Sequence, residues 1–386
     1  MKKTVFLAAS FLIATAFALS ACGPRSESGS GGDNGTAGQS GSPKSITVLS
    51  GPGDKIMPEV LTAFEKETGI KVNYSEIAVP SLHSKLATLF GSKSPEVDVV
   101  WTYSAWTAEF ANAGYLEPID DKVNQELKDD LIPGSLEAVT YKGKLYGIPR
   151  FLSMRLFYYN KELFRQAGLD PEKPPKTWDE FKQMAVKLTK DTDGDGKIDQ
   201  YGYLGDYGAP NNSVMQFELL LYLNGGKMFD DNDQVMFNDD KGVKALTELV
   251  ELHKLGVVDP ASFSISSGGD KATKFVSGKA ATMFGWFNTY AFANDKEKSR
   301  MVGQLGWGTI PAMQSETASL GGSEGYAISK FSNNKEAALR FIEFVADKET
   351  QKGIALRTGW MPVRKSVFND PELKEKLPYT STVEEQ

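Results

Sequence analysis

The stretch "SITVLSGPGDKIMPEVLTAFEKETGIKVNYSE", residues 45–76, decides the fold class. It opens with a β-branched run at 45–51 that ends in turn residues, the pattern of a short strand. A helix is expected from residue 57, with Val60, Leu61 and Phe64 on one face and Gly69 as its stop signal. Residues 70–76 then return to strand. Strand, loop, helix and strand in close succession mark an α/β protein. Moving outward, "VDVVW" at 97–101 is apolar enough to be a strand buried on both faces. In open α/β sheets ligands sit beyond the carboxyl ends of strands. A binding site is therefore sought in the loop at 50–55, with Ser50, Asp54 and Lys55, and in the loop at 101–106, with Trp101, Tyr103, Ser104 and Trp106.

The ends of the chain carry separate signals. Lys2 and Lys3 precede an apolar stretch at 5–19 that is too short for a membrane span and has the form of a secretory signal. It runs into Leu19-Ser20-Ala21-Cys22, which resembles a bacterial lipobox, and Cys22 is the single cysteine of the 386 residues. A signal peptide at 1–21 and lipidation of Cys22 are expected, with no disulfide within the chain. Residues 22–44 are Gly- and Ser-rich with almost no apolar side chains, so they read as a flexible tether reaching on the order of 25 Å as a random coil. The protein would then sit in the cell envelope, on the outer face of the cytoplasmic membrane or in the periplasm, held by lipid alone. A formal net charge of -7 without a Lys/Arg cluster argues against nucleic acid as a partner. The length suggests two domains beyond the tether.

Two motifs have a defined chemistry. "DTDGDGKIDQYG", residues 191–202, places Asp191, Asp193, Asp195, the Lys197 carbonyl and Asp199 at the oxygen-ligand positions of an EF-hand-type loop, with Gly196 at its turn. A structural Ca²⁺ is expected there. Position twelve is Gly202, not Glu, so another carboxylate such as Asp206 or Glu218 would have to complete the shell. Without metal, the same residues would simply favour turns. The second motif, Gly321-Gly322-Ser323-Glu324-Gly325, fits the G-x-S-x-G pattern of a serine hydrolase. That elbow needs a helix after the serine and a histidine further along the chain. The two histidines, His83 and His253, both precede Ser323, and the alternating residues 326–329 read as strand. No enzyme is expected.

Taken in order, "VDVVWTYSAWTAEFANAGYLEPI", "YKGKLYGIPRFLSMRLFYYNKELFRQAGL", "PPKTWDEFKQMAVKLT", "FVSGKAATMFGW", "LGGSEGYAISKFSNNKEAALRFIEFVADKETQK" and "TGWMPVRKSVF" resemble the extracellular solute-binding proteins of ABC sugar importers, the maltodextrin-binding group. The resemblance spans nearly all of 46–368. It implies a two-lobe periplasmic-binding-protein-like fold (type II), with lobe 1 at 45–149 plus 322–366, lobe 2 at 150–321 plus 367–386, and a ligand cleft between them. It further implies a sugar or oligosaccharide ligand, hinge closure, delivery to a membrane permease, and a monomer. Relatives of this kind continue beyond "TGWMPVRKSVFNDPELKEKL", so the end at "YTSTVEEQ" is read either as a fragment or as a differently closed lobe 2. A sugar phosphate or a polyamine in the same fold, and an exported glycosidase, are the alternative readings.

Sugars present polar edges and apolar faces, so a cleft for them needs flat aromatic surface and a few fixed polar groups. Beyond the two loops already named, the candidates are Arg150 and Ser153 at the first crossing, Asn211 and Asn212 in a Gly-Pro-rich stretch, Trp286 and Asn288 after an apolar strand, and Trp360 and Met361 between turn residues. Gly321, Gly322 and Ser323 fall at the return crossing, where paired glycines are expected to let the backbone approach a ligand closely or adopt positive φ, or else simply to form a tight turn. Trp178, behind an N-cap Thr177, reads as structural, and Trp307 is ambiguous. A buried core position is the commoner fate of any of these indoles, and a salt bridge is the commoner fate of an arginine.

Overall fold

The computed structural model describes residues 45–51, 57–230, 232, 234–314 and 317–386. Asp54, Lys55, Cys22, the signal segment and the tether lie outside the described residues.

Ten strands follow one another as β1 Ser45–Ser50, β2 Lys71–Glu76, β3 Val99–Tyr103, β4 Thr140–Tyr141, β5 Lys144–Leu145, β6 Gly147–Asn160, β7 Tyr201–Leu204, β8 Ala280–Trp286, β9 Leu305–Gly308 and β10 Gly321–Ile328. Eight of them form one sheet in the order β2-β1-β3-β10-β6-β8-β7, with β9 also paired to β6. Neighbours β1/β2, β1/β3 and β7/β8 are parallel, while every pairing made by β6 and β10 is antiparallel. Helices occupy the connections, as the 45–76 stretch predicts, beginning with Met57–Thr68, whose Val60 and Phe64 are buried.

The longest strand, β6, organises the molecule. Residues 147–154 pair with β10, and residues 155–160 pair with β8 and β9. Its side chains also divide between cores. Ile148 packs with Val48, Val99, Tyr326 and Phe341 in one hydrophobic cluster. Phe157 and Tyr159 belong to a second cluster with Phe181 and Phe284, and Leu156 and Tyr158 to a third with Phe275 and Tyr379. A single 14-residue strand thus leaves one core and enters another between residues 148 and 156. Helix Lys348–Thr358 lies across the same junction, with Ile354 in the first core and Ala355 in the third. No helix among the described residues is long and apolar enough to cross a membrane.

Two local expectations are met by local chemistry. Thr177 caps helix Trp178–Leu188 in a full capping box with Glu180, and the helix buries Trp178, Phe181, Ala185 and Leu188. Residues 321–328 form a strand, so Ser323 does not sit on a nucleophile elbow. The positive-φ expectation for the paired glycines is not met. Neither Gly321 nor Gly322 has positive φ, and a Cβ at Gly322 would meet open space. The glycine that close packing requires is Gly325, where a Cβ would stand 2.5 Å from Val139 Cγ1 and 2.8 Å from the Ile148 carbonyl oxygen, beside the bulge in the β10/β6 register.

Candidate ligand-binding site

The register brings the carboxyl ends of strands from both halves to one stretch of β6. Tyr103, the last residue of β3, pairs with Glu324, which pairs with Phe151. Trp286, the last residue of β8, pairs with Arg155, and β7 runs parallel beside β8. Residues 150–155 therefore carry the floor against which both halves end, the position that open α/β sheets give to ligands.

On the first half, the floor is a hydrogen-bond network of hydroxyls around one ion pair. Tyr326 OH lies 3.0 Å from Ser50 Oγ and 3.4 Å from Tyr74 OH, and accepts from Arg150 Nη1 at 3.1 Å. Arg150 Nη2 reaches Glu324 Oε2 at 3.4 Å, and Trp101 Nε1 donates to the same oxygen at 2.8 Å. Burial, reinforced by the neighbouring Tyr326, pushes the Tyr74 phenol far above its usual range, so the cluster is held by neutral hydroxyls and one ion pair. Gly51 admits the Trp101 indole, since a Cβ there would stand 3.2 Å from the ring.

The expected aromatic loop at 101–106 does not exist as a loop. Strand β3 continues to Tyr103 and passes directly into helix Ser104–Asn112. Trp101 and Trp106 are only 4% and 6% exposed, packed edge to face with centroids 5.2 Å apart and counted in the first core. The strand end lies two residues later than the pattern suggests, so Trp101 packs from within the strand and Trp106 from the helix that follows it. Tyr103 remains half-buried at the rim, and Ser104 is exposed.

On the second half, the floor is ionic. Arg155, 1% exposed, donates from Nη2 to Asp206 Oδ2 at 3.2 Å. Lys271 Nζ meets Asp206 Oδ1 at 3.2 Å and the Phe284 carbonyl at 2.8 Å. Gln216 donates to Asp206 as well, and Tyr203 OH donates to Gln216 Oε1 at 3.0 Å. Each element delivers its residue by ordinary means: Asp206 lies two residues past β7, and Lys271 sits on helix Gly268–Val276, capped by Ser267. Burial drives Lys271 down to about 8 against the opposing pull of Asp206. The Trp286 ring lies over the Arg155 guanidinium at 4.9 Å and is half-exposed.

The other expected residues divide. Trp360 is half-exposed and stacks on Phe151 at 4.4 Å and 19°, beside the Arg150 guanidinium. Its neighbour Met361 is fully buried in the third core, with its carbonyl bonded to Leu152 N, and is not available to a ligand. Ser323 is buried and donates to the Phe151 carbonyl, and Ser153 is buried opposite Gly322. Asn211 and Asn212 lie in the first turn of helix Pro210–Leu223 rather than in a loop; Asn211 is exposed, and Asn212 Nδ2 is buried without a partner among the described residues. Asn288 Oδ1 is likewise buried and unpartnered. The sequence reading missed Asp206 as a floor residue, and Lys271 and Tyr326 altogether. Asp206 carried a usable signal, an acid immediately after a strand end.

The acidic loop is formed at the surface. Asp191 accepts from Gly194 N and from Gly196 N, the latter at 2.8 Å, and ligand oxygens of Asp191, Asp193 and Asp195 lie within 4.8 Å of one another. Asp199 instead bonds Thr192 through both carboxylate oxygens, and Asp206, engaged by Arg155 and Lys271, is not available to complete a shell. A separate cavity of about 380 Å³ opens between Tyr290, Asn294, Gly359 and Lys376, and none of the expected site residues lines it.

Residues 49–352 match the family model of the bacterial extracellular solute-binding proteins. Among curated relatives, a probable amino-acid ABC transporter periplasmic-binding protein of Sinorhizobium fredii is 26% identical over 338 residues, 85% of this chain and 74% of that protein. The maltotriose-binding protein of Pyrococcus abyssi is 25% identical over 343 residues, 86% of this chain and 67% of that one. Among solved structures, maltose-bound MalE3 of T. maritima superposes with a TM-score of 0.79 at 28% identity, covering 88% of this chain and 86% of that one. The chain has the two-lobe fold of these binding proteins.

Proposed function

Because the chain belongs to the bacterial extracellular solute-binding protein family, we propose that it serves an ABC importer by closing its two lobes, 45–149 plus 322–366 and 150–321 plus 367–386, on a sugar or oligosaccharide. Delivery is to a membrane permease, Cys22 carries the lipid anchor, and no chemistry is done on the ligand. The observation that carries this reading is the pair of half-exposed indoles on the shared floor. Trp286 lies over Arg155 and Trp360 lies over Phe151, two positions on the same face of β6 and about 13 Å apart at roughly 3.3 Å per residue. Flat apolar rings flanked by fixed polar groups suit the two chemical faces of a pyranose. Each stacked ring burying about 100 Å² contributes on the order of 2 kcal/mol before ordering costs. A ligand that touches both halves stabilises the closed state by its differential affinity.

A thermal-shift screen over mono- and oligosaccharides tests this. A sugar at about 100 times its dissociation constant adds roughly 2.7 kcal/mol and raises Tm. The shift is expected to vanish in Trp286→Ala; a full shift in that variant would move the site elsewhere. We further propose that Ca²⁺ occupies the Asp191, Asp193 and Asp195 loop, where Lys197 offers a carbonyl, and pins the surface of lobe 2. A chelator is then expected to lower Tm with sugar affinity retained, and an unchanged melting curve would refute the metal.

A further inference from the structure

The second-half floor holds more positive charge than it needs. Arg155 and Lys271 are both buried, and the one buried carboxylate between them is Asp206. Of the nearby acids, Glu218 is only half-buried, its pKa raised by burial and drawn back down by Arg155, and it makes no hydrogen bond to Arg155 among the described residues. Asp270 is exposed and lies 3.2 Å from Ser266 Oγ. Removing a charge from water costs several kcal/mol unless it is paired, so two cations sharing one carboxylate are under-compensated.

The hydrogen-bond inventory agrees. Arg155 Nη2 is used by Asp206, whereas Nε and Nη1 are buried and find no acceptor among the described residues. Buried guanidinium donors left unpaired are uncommon and call for a partner. The cover over them is the half-exposed Trp286 indole, at the carboxyl end of β8. That indole packs against the N-terminus of helix Gly268–Val276, close enough that a Cβ on Gly268 would stand 2.7 Å from Trp286 Cδ1. A helix N-terminus presents backbone N–H groups and partial positive charge. An unpaired guanidinium, a second buried cation and a helix N-terminus therefore converge around one aromatic ring.

Resting on the sugar reading above, we propose that the ligand is a sugar acid, whose carboxylate is received at Trp286 by the free N–H groups of Arg155 and the N-terminus of helix Gly268–Val276, with Asp206 and Lys271 fixing the guanidinium in place. A carboxylate brings one negative charge to the guanidinium, and its oxygens accept strongly from charged N–H donors. A phosphate ester, carrying nearly two negative charges, would overshoot that balance.

Isothermal titration calorimetry on the intact wild-type protein tests this with matched ligands: glucose, glucuronate and glucose 6-phosphate; galactose, galacturonate and galactose 6-phosphate; and neutral and uronate trisaccharides. Leucine and glutamate form a separate arm. The uronate of the best set is expected to bind at least tenfold more tightly than its neutral and phosphorylated counterparts, with the preference falling as salt rises. In Arg155→Lys, which keeps the charge but loses the planar donors, the uronate preference is expected to collapse while any weak neutral binding persists. A neutral sugar or sugar phosphate binding as tightly as the uronate would overturn the carboxylate seat and leave the sugar reading standing. Binding of an amino acid with no sugar of any kind bound would overturn the sugar reading itself.

Discussion

The two halves of the floor solve the same burial problem by opposite means. On the first half, Ser50, Tyr74, Tyr326 and Arg150 satisfy one another around Glu324, through hydroxyls and a single ion pair. On the second, Arg155, Asp206 and Lys271 form a buried ionic triad with two guanidinium donors unused. A network made mostly of hydroxyls around one matched ion pair is the less costly of the two to bury. An ionic one is costly to bury and stays responsive to whatever charge approaches it. On the proposal above, the first half supplies shape and the second supplies discrimination.

The contrast breaks most visibly when each centre is cut. Asp206→Leu leaves two buried cations with no counter-charge and is expected to cost about 3–5 kcal/mol of stability, read as a large fall in Tm or loss of soluble protein. Tyr326→Phe removes one hydroxyl while leaving Arg150 paired with Glu324, and is expected to cost only about 1–2 kcal/mol. Equal losses from the two substitutions would erase the distinction between the halves. Chemical denaturation of both variants, analysed as shifts in midpoint at constant slope, makes the comparison.

A smaller effect separates the halves by pH. Lys271 is held at about 8, against 10.5 for an unburied lysine, first by burial and also by Arg155, with Asp206 pulling the other way. Between those two values the unfolded chain binds the proton that the folded chain has released. Stability from this group therefore rises as pH climbs from about 8 to 10.5, and the deficit is fully present below 8. Lys271→Met is expected to flatten that part of the stability profile, whereas Tyr326→Phe leaves it unchanged. A wild-type profile that falls smoothly through the window in parallel with Lys271→Met would contradict the assignment.

The same contrast explains what could be read in advance. The alternation of strand and helix at 45–76 was legible because each element is set by neighbours a few residues away, as with the Thr177 capping box. Trp286 was legible as an indole at a strand end. Trp101 and Trp106 were misread because β3 runs on to Tyr103 and enters a helix without a loop, so the two indoles sit on a packed strand and helix instead of on a loop. Gly321 and Gly322 drew attention by pattern, while packing depends on Gly325. The triad was invisible for a different reason: Arg155 and Asp206 are 51 positions apart, and Asp206 and Lys271 are 65 apart. No local spacing announces such a group. Only the pairing of β6 with β8, and of β8 with β7, assembles it.

Small-angle X-ray scattering with and without the tightest sugar from the calorimetric panel tests lobe closure directly. The account predicts a smaller radius of gyration at saturating ligand, and no such change in Trp286→Ala at the same concentration. Superimposable wild-type profiles, with and without a sugar that calorimetry shows to be bound, would contradict it.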